Sequence, residues 1–217
     1  MIDVSTYPKS LTLRGETEVS VQIMHPRLED KLRQFMGSIP ATERVHFRDD
    51  VSDPEVIHQW SNDINLERVI PLLAINTDDD IVANWTLHHR EHGWIRHHGH
   101  IRGIVTPKWR NKGLATLMVR ELLRIAGSME IERVVIELVE PQMQLLERYR
   151  KIGFKIDAVL KDWVKDFSGR YNDIHVLSTQ LEPAWQKMDV KLFWPSFEKE
   201  ISLANWPSWM EKPDLPM

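Results

Sequence analysis

Cysteine is absent from this chain of 217 residues, and its absence removes several kinds of chemistry. Without thiols the chain forms no disulfides, has no thiolate nucleophile and cannot build a zinc site on cysteine ligands. A chain of this composition fits a reducing compartment. We therefore expect a cytoplasmic protein.

Long apolar runs and an excess of positive charge are also missing. No stretch approaches the ~18 consecutive apolar residues of a membrane-spanning helix. The opening residues MIDVSTYPKS lack the basic region and apolar core of a signal peptide. The formal net charge of -4 provides no overall basic field to attract nucleic acid or anionic lipid. We expect a soluble protein that binds neither nucleic acid nor membrane.

Hydrophobic periodicity predicts an α/β (α+β) domain over residues 1–181. The predicted strands are a pair in LTLRGETEVSVQIM, then VIPLLAIN, IVANWTLHH, WIRHHGHIRGIVTP, ERVVIELVE, GFKIDAVLKDWVKDF and NDIHVLSTQL. The predicted helices cover residues 26–36, a segment that begins at Pro54 after the capping residue Asp53, KWRNKGLATLMVRELLRIAG, and PQMQLLERYRKI. This order of elements indicates a mixed sheet flanked by helices.

Six of the ten histidines fall in residues 88–100, HHREHGWIRHHGH. Alternation along the predicted strand WIRHHGHIRGIVTP places Arg96, His98, His100 and Arg102 on one face, provided that no bulge intervenes. His98 and His100 could converge with His88 on a metal, but a sound metal site needs converging, supported ligands, and no carboxylate stands at ligand spacing. We expect no metal site, and we expect His100 to face a substrate.

Two glycines, Gly99 and Gly103, interrupt this strand. Glycine inside a strand often marks a bulge or a place where another chain approaches the backbone closely. We interpret both as positions where a ligand comes close to the strand.

The segment VTPKWRNKGLA, residues 105–115, joins the end of a strand to the start of a helix. The first N–H groups of a helix have no partner within it and lie at the positive end of its dipole, so they suit a phosphate. Gly113 lets the backbone come close to such an anion, and Arg110 and Lys112 add positive charge. A basic loop before a helix is weak evidence by itself, because most such loops are simply solvated.

The run RNKGLA, residues 110–115, resembles the R/Q-x-x-G-x-G/A signature of the GNAT N-acetyltransferase superfamily. The segment ERYRKIGFK resembles a second element of that family and carries Tyr149 four residues before Gly153. The strand VVIELV lies between the two motifs, as it does in the family. The resemblance extends over roughly residues 10–181. It implies a GNAT-like, mostly antiparallel central sheet flanked by helices, with two strands that splay apart at the cofactor site.

The resemblance also implies that acetyl-coenzyme A is the acyl donor. Its pantetheine arm would lie between the splayed strands and bond to the backbone of Ile104 and Val105. Gln142 would stand where the family commonly has a ligand-contacting asparagine. Backbone N–H groups would bind the pyrophosphate, and by position these belong to Arg110, Asn111, Lys112, Gly113, Leu114, Ala115 and Thr116.

The implied reaction is direct transfer of an acetyl group to a primary amine, either a protein lysine or a small-molecule amine. A lysine amine has a reference pKa of about 10.4, so a base has to remove its proton. His100 stands where many members of the family have a glutamate, and Glu137 on the following strand or solvent are the alternatives. Tyr149 matches the family position of the group that protonates the leaving thiolate. A different reading is a non-catalytic acyl-coenzyme A sensor or a partner-docking subunit.

Residues 182–217 differ in composition from the rest of the chain. They carry four of the nine tryptophans and five of the twelve prolines. Disordered tails are poor in aromatic residues, so we expect this C-terminal extension to dock. Its partner would be residues 1–181 of the same chain or a second subunit, and the second case would give a homodimer.

Overall fold

A computed structural model of the protein describes residues 4–13, 17–166 and 169–181. The predicted docking of the tryptophan-rich extension, residues 182–217, falls outside the described residues. None of the helices in the described ranges is long and apolar enough to cross a membrane.

Eight strands form a single mixed sheet in the order β1-β2-β3-β4-β5-β6-β8-β7. Their bounds are β1 Lys9–Thr12, β2 Glu18–Ile23, β3 Val69–Ile75, β4 Ile81–His89, β5 His98–Val105, β6 Arg133–Val139, β7 Lys155–Lys165 and β8 Tyr171–Gln180. All neighbouring pairs are antiparallel except β5 with β6. The predicted mixed, mostly antiparallel sheet is therefore confirmed.

Helices flank this sheet, as the sequence predicts. The α-helices are α1 Glu29–Ser38, α2 Ala41–Arg44, α3 Pro54–Asn62, α4 Leu114–Ser128 and α5 Leu146–Arg150, and short 3-10 helices cover Val4–Thr6, Pro26–Leu28, Pro107–Trp109 and Glu140–Leu145. Asp53 caps α3 as predicted, because its carboxylate accepts from the N–H of Glu55 at 2.9 Å. No sequence pattern predicts α2, which is only one turn long.

The strand that carries the histidines is shorter than predicted. A turn occupies residues 91–97, where Gly93 has a φ of 95°, and the N–H of His98 bonds to the carbonyl of Ile95 at 3.0 Å. Trp94 and Arg96 therefore do not belong to β5. The predicted alternation does hold inside β5, where Ile101 and Val105 are buried and the residues between them are more exposed.

The two glycines of β5 do not mark a bulge. The register between β4 and β5 runs without a shift from Ala83↔Val105 to His89↔Gly99. A Cβ atom at Gly103 would lie 2.1 Å from the Trp85 ring, and one at Gly99 would lie 2.7 Å from the Leu87 side chain. Glycine is required at these positions because side chains of β4 occupy the space.

The two faces of the sheet pack against different helices. Leu73 of β3 and Ile104 of β5 contact a core cluster that includes residues of α1 and α3. Neighbouring residues of a strand point to opposite faces, so Ile101 and Val105 point to the other face, where α4 packs against β4 and β5. We call these the α1 face and the α4 face.

A buried carboxylate fixes α4 to the edge of the sheet. Glu121 of α4 is only 4% exposed. It accepts from the Tyr7 hydroxyl at 2.6 Å, from Lys9 of β1 at 3.0 Å and from Arg124 at 2.8 Å. Three donors around one buried charge offset the cost of removing it from water.

We expect Gly103→Ala to destabilise the protein, because the added methyl group would overlap the Trp85 ring. Overpacking of this kind costs about 1–3 kcal/mol in the free energy of unfolding. Gly37→Ala is the matched control, since a Cβ atom there meets nothing within 4 Å. Gly37 lies in the last turn of α1, where this change should stabilise by at most about 0.5–1 kcal/mol, the value for a helix interior. Urea denaturation measures both, and a Gly103→Ala protein of unchanged stability would contradict the packing described.

Candidate active site

The two strands that pair in parallel separate after a short contact. β5 and β6 are paired only from His98↔Arg133 to His100↔Val135. β5 continues to Val105 and β6 to Val139, so a gap opens between them beyond this contact. The gap confirms the predicted splayed strands, and it opens towards the loop that leads from β5 into α4.

Backbone groups of β5 line one side of this gap. The N–H of Thr106 bonds to the carbonyl of Val82 at 3.0 Å. Hydrogen-bonded and non-hydrogen-bonded pairs alternate in an antiparallel ladder, so the polar groups of Ile104 point towards β4, and those of Gly103 and Val105 point towards the gap. Of the two residues implied by sequence, Val105 offers its N–H to a ligand, whereas Ile104 does not. The backbone of Gly103 also points towards the gap, which only the register of the hairpin reveals.

The loop between β5 and α4, residues 106–113, which we call the cofactor loop, positions the first turn of α4. Asn111 has a φ of 65° and Gly113 a φ of 88°, and both values lie in the left-handed region. The N–H of Leu117 makes the first helical bond, to the carbonyl of Gly113 at 3.1 Å. The N–H groups before it have no partner within the helix and remain available to an anion. These belong to Leu114, Ala115 and Thr116, as the sequence implies.

The Arg110 side chain ties the cofactor loop to α2. Its Nη1 and Nη2 atoms donate to the two carboxylate oxygens of Glu43 at 2.9 Å and 2.6 Å. Its Nε donates to the carbonyl of Val105 at 3.0 Å. The charge that the sequence assigned to a phosphate is thus already paired, and Arg110 instead holds the loop in place.

Two other side chains of the cofactor loop also make internal contacts. The Lys112 Nζ lies 4.5 Å from the centre of the Trp109 ring. The Asn111 Oδ1 accepts from the Arg148 guanidinium of α5 at 2.7 Å. Contacts with α2 and α5 therefore hold the loop in place. Because these side chains already have partners within the protein, the loop offers an anion its backbone more than its charges.

Tyr149 of α5 is buried, with 8% of its surface exposed. Its ring contacts Phe154 edge to face, with 5.8 Å between ring centres. Among the described residues the Tyr149 hydroxyl has no hydrogen-bond partner, so the structure does not support a core tyrosine bonded to the backbone. Burial raises the pKa of Tyr149, and the hydroxyl stays protonated at neutral pH.

Gln142 is partly engaged within the protein. Its Oε1 accepts from the backbone N–H of Val139 at 3.3 Å, at the beginning of the 3-10 helix that precedes α5. The amide NH₂ group remains for a ligand. Gln142 therefore also stabilises the turn between β6 and α5, which sequence reasoning did not anticipate.

Titratable side chains from three strands meet on the α1 face. His88 of β4 lies directly opposite His100 of β5. Glu137 of β6 is two residues beyond the partner of His100 and shares its face. Arg48, between α2 and α3, donates to the Glu137 carboxylate at 2.6 Å. The structure thus places His100 and Glu137, which the sequence offers as alternative bases, on the same face, and adds Arg48.

The surroundings keep both histidines neutral. Burial lowers the pKa of His100, which the nearby Glu137 carboxylate opposes and Arg102 reinforces. Burial and the positive charge of Arg102 lower the pKa of His88 to about 4. A neutral imidazole can accept a proton, so His100 has the protonation state that a base requires.

The clustered histidines do not form a metal site in the described part of the chain. No group of three or more histidine, aspartate or glutamate side chains there could hold a metal ion. His98 instead makes an edge contact with His97, with 4.3 Å between the ring centres.

Comparison with known proteins supports the same interpretation. The model of the acetyltransferase (GNAT) family matches residues 34–154. The L-amino acid N-acetyltransferase AaaT of Escherichia coli (strain K12) is 21% identical over 122 residues, which cover 56% of this chain and 75% of that protein.

Solved structures share the fold. A GNAT-family acetyltransferase from Streptococcus pneumoniae superposes with a TM-score of 0.64 at 18% identity, over 75% of this chain and 99% of the other. The ribosomal-protein-alanine N-acetyltransferase of Brucella melitensis gives a TM-score of 0.63 at 18% identity, over 74% and 99%.

We expect Gly113→Glu to abolish binding of acetyl-coenzyme A. A carboxylate would then stand beside the N–H groups that are to bind phosphate, and it would occupy space that is open in the structure. Gly113→Ala is the control for backbone strain, because any side chain is strained at a φ of 88°. Isothermal titration should show a much larger loss of affinity for Glu than for Ala. Equal affinities in two folded variants would contradict the assignment of the phosphate site.

Proposed function

The chain belongs to the acetyltransferase (GNAT) family and is an N-acetyltransferase, and we propose that it transfers the acetyl group of acetyl-coenzyme A directly to a primary amine. The observation that carries the proposal is the gap between β5 and β6, which opens at the N-terminus of α4. Beside the gap, the α4 face of the sheet offers an anion site and the α1 face offers a base.

The residues at the gap fit the donor that the family uses. The unpartnered N–H groups of the first turn of α4 match a pyrophosphate. The backbone of Gly103 and Val105 can bond to an extended chain along the gap. A backbone N–H on this edge can also stabilise negative charge that develops on the thioester oxygen as the amine attacks.

His100 is the proposed base. It is neutral at pH 7 because burial lowers its pKa, and it lies on the α1 face next to the gap. Glu137 is a weaker candidate, because its carboxylate is already bonded to Arg48 at 2.6 Å. We propose that the Glu137 charge orients the imidazole and stabilises it after it accepts the proton.

Tyr149 is the proposed donor to the leaving thiolate. Its hydroxyl is protonated and has no hydrogen-bond partner among the described residues. A raised pKa makes a tyrosine a weaker acid, but its neutral hydroxyl still donates a hydrogen bond. We propose that it stabilises the thiolate as the thioester bond breaks.

The acceptor belongs to the class of primary amines, and both a protein lysine and a small-molecule amine are candidates. The relatives point in both directions, since one is an L-amino acid N-acetyltransferase and another a ribosomal-protein-alanine N-acetyltransferase. The direct test is an acceptor screen with acetyl-coenzyme A that measures thiol release. Acceptor-dependent release supports the proposal, and its absence across amino acids, polyamines and lysine peptides would reject it.

Tyr149→Phe should lower turnover about ten-fold or more, because it removes only the hydroxyl that donates to the thiolate. The ring contact with Phe154 is kept, so melting temperature and acetyl-coenzyme A affinity should stay close to the wild-type values. Initial rates and thermal melts on the same preparation measure both. Full activity of this variant would exclude Tyr149 from the reaction.

His100→Ala should lower turnover about 10²-fold and leave acetyl-coenzyme A affinity unchanged. In the wild type the rate should fall on acidification with a midpoint below 6.5, because burial lowers the pKa of His100 from that value. The variant should lose this acidic limb. His92→Ala is the control, since His92 is exposed in the turn before β5. An equal loss of rate at every pH would indicate a packing role for His100.

A further inference from the structure

Arg102 of β5 is a charged side chain without a direct partner. It is half-buried on the α1 face, between His100 and Ile104. Within the described ranges, its guanidinium makes no hydrogen bond and no ion pair. A partly desolvated charge that is not paired is costly, and proteins seldom keep one without a use for it.

The carboxylates near Arg102 do not satisfy it. Glu137 is within range to affect its charge, but that carboxylate is bonded to Arg48 at 2.6 Å. Asp49 also attracts Arg102, yet it forms no ion pair with it among the described contacts. Burial and Arg48 lower the pKa of Arg102, although a guanidinium remains charged at any physiological pH.

Arg102 and the proposed donor site lie on opposite faces of the sheet. Arg102 shares the α1 face with His100, whereas α4, which carries the phosphate site, packs on the opposite face. An anion at Arg102 would therefore belong to the acceptor and not to coenzyme A. His100 and Arg102 are two residues apart on one strand, which is about 6.6 Å along the backbone.

We propose that Arg102 binds a carboxylate of the acceptor, and that the acceptor is a free amino acid or a similar small molecule carrying both an amine and a carboxylate. This inference rests on the proposed function. The planar fork of a guanidinium matches a carboxylate with two parallel hydrogen bonds. A carboxylate held there brings the amine of a small acceptor towards His100.

Arg48 is placed to assist in this binding. It is held on Glu137 and extends from the segment between α2 and α3 over the same face. Its charge lies close enough to influence both Arg102 and His100. A polycationic acceptor would have to approach two guanidinium groups, so this face is poorly suited to a polyamine.

The first experiment compares acceptors that differ in charge alone. Thiol release is measured with L-amino acids, with their methyl esters, and with a lysine peptide blocked at both ends. The free acids should be preferred in kcat/KM by about 10²-fold, which is the usual value of a charged hydrogen-bonded contact. Esters or peptide used as well as the free acids would overturn the carboxylate proposal and leave the proposed acetyltransferase activity standing.

The second experiment changes the arginine. Arg102→Gln should raise KM for the free acid about 10²-fold, leave KM for the methyl ester unchanged and leave acetyl-coenzyme A affinity unchanged. Arg102→Lys should recover part of the loss, because it keeps the charge but not the fork. Arg96→Gln is the control, since Arg96 is exposed in the turn before β5.

The outcomes distinguish a failure of the carboxylate proposal from a failure of the proposed acetyltransferase function. A loss of affinity for coenzyme A in Arg102→Gln would place the arginine in the donor site, and an equal loss for acid and ester would make its role structural. Both results overturn the inference without touching the proposed function. Thiol release with none of the acceptors, although acetyl-coenzyme A binds, would overturn both.

Discussion

The separation of β5 from β6 is the constraint on which the rest of the site depends. The two strands share only three paired positions, while β5 is fully paired with β4 and β6 with β8. Each strand is thus held by its outer neighbour and is free to diverge from the other. The divergence exposes the backbone of Gly103 and Val105 on an inner edge of the sheet. If the strands stayed together, these N–H and C=O groups would be hydrogen-bonded to β6. The proposed donor site and the proposed acceptor face lie on opposite faces of the sheet beside this opening.

The arrangement of strands and helices could be largely predicted from the sequence, because it follows from local patterns. Periodic apolar residues located most strands and helices, and the run RNKGLA located the first turn of α4, the proposed phosphate site. The features that failed depend on partners distant in sequence. Gly103 is glycine because of Trp85 on another strand, and the shortened β5 depends on a turn whose hydrogen bonds carry no sequence signal.

Arginine roles were the hardest to predict. Arg110 is 67 residues from Glu43, and Arg48 is 89 residues from Glu137. The sequence suggested Arg110 as a free charge, and the structure pairs it, while Arg102 attracted little notice and its half-buried guanidinium has no direct partner in the described ranges. Only the tertiary arrangement determines which arginine is paired within the protein and which remains available to a ligand. Glu137 illustrates the same point, because its carboxylate is already paired with Arg48.

The contact between Gly103 and Trp85 links a buried side chain of β4 to the edge of β5 that lines the gap, in a way that should be visible in evolution. The indole fills the space where a side chain at position 103 would begin. A homologue with any larger residue at 103 therefore needs a smaller one at 85, and the two positions should covary. Since position 103 also offers its backbone to the gap, a change in the core residue on β4 would be transmitted to the ligand-binding edge of β5. Substitution of Trp85, a buried core residue, would then change which acyl donors fit along this edge of β5.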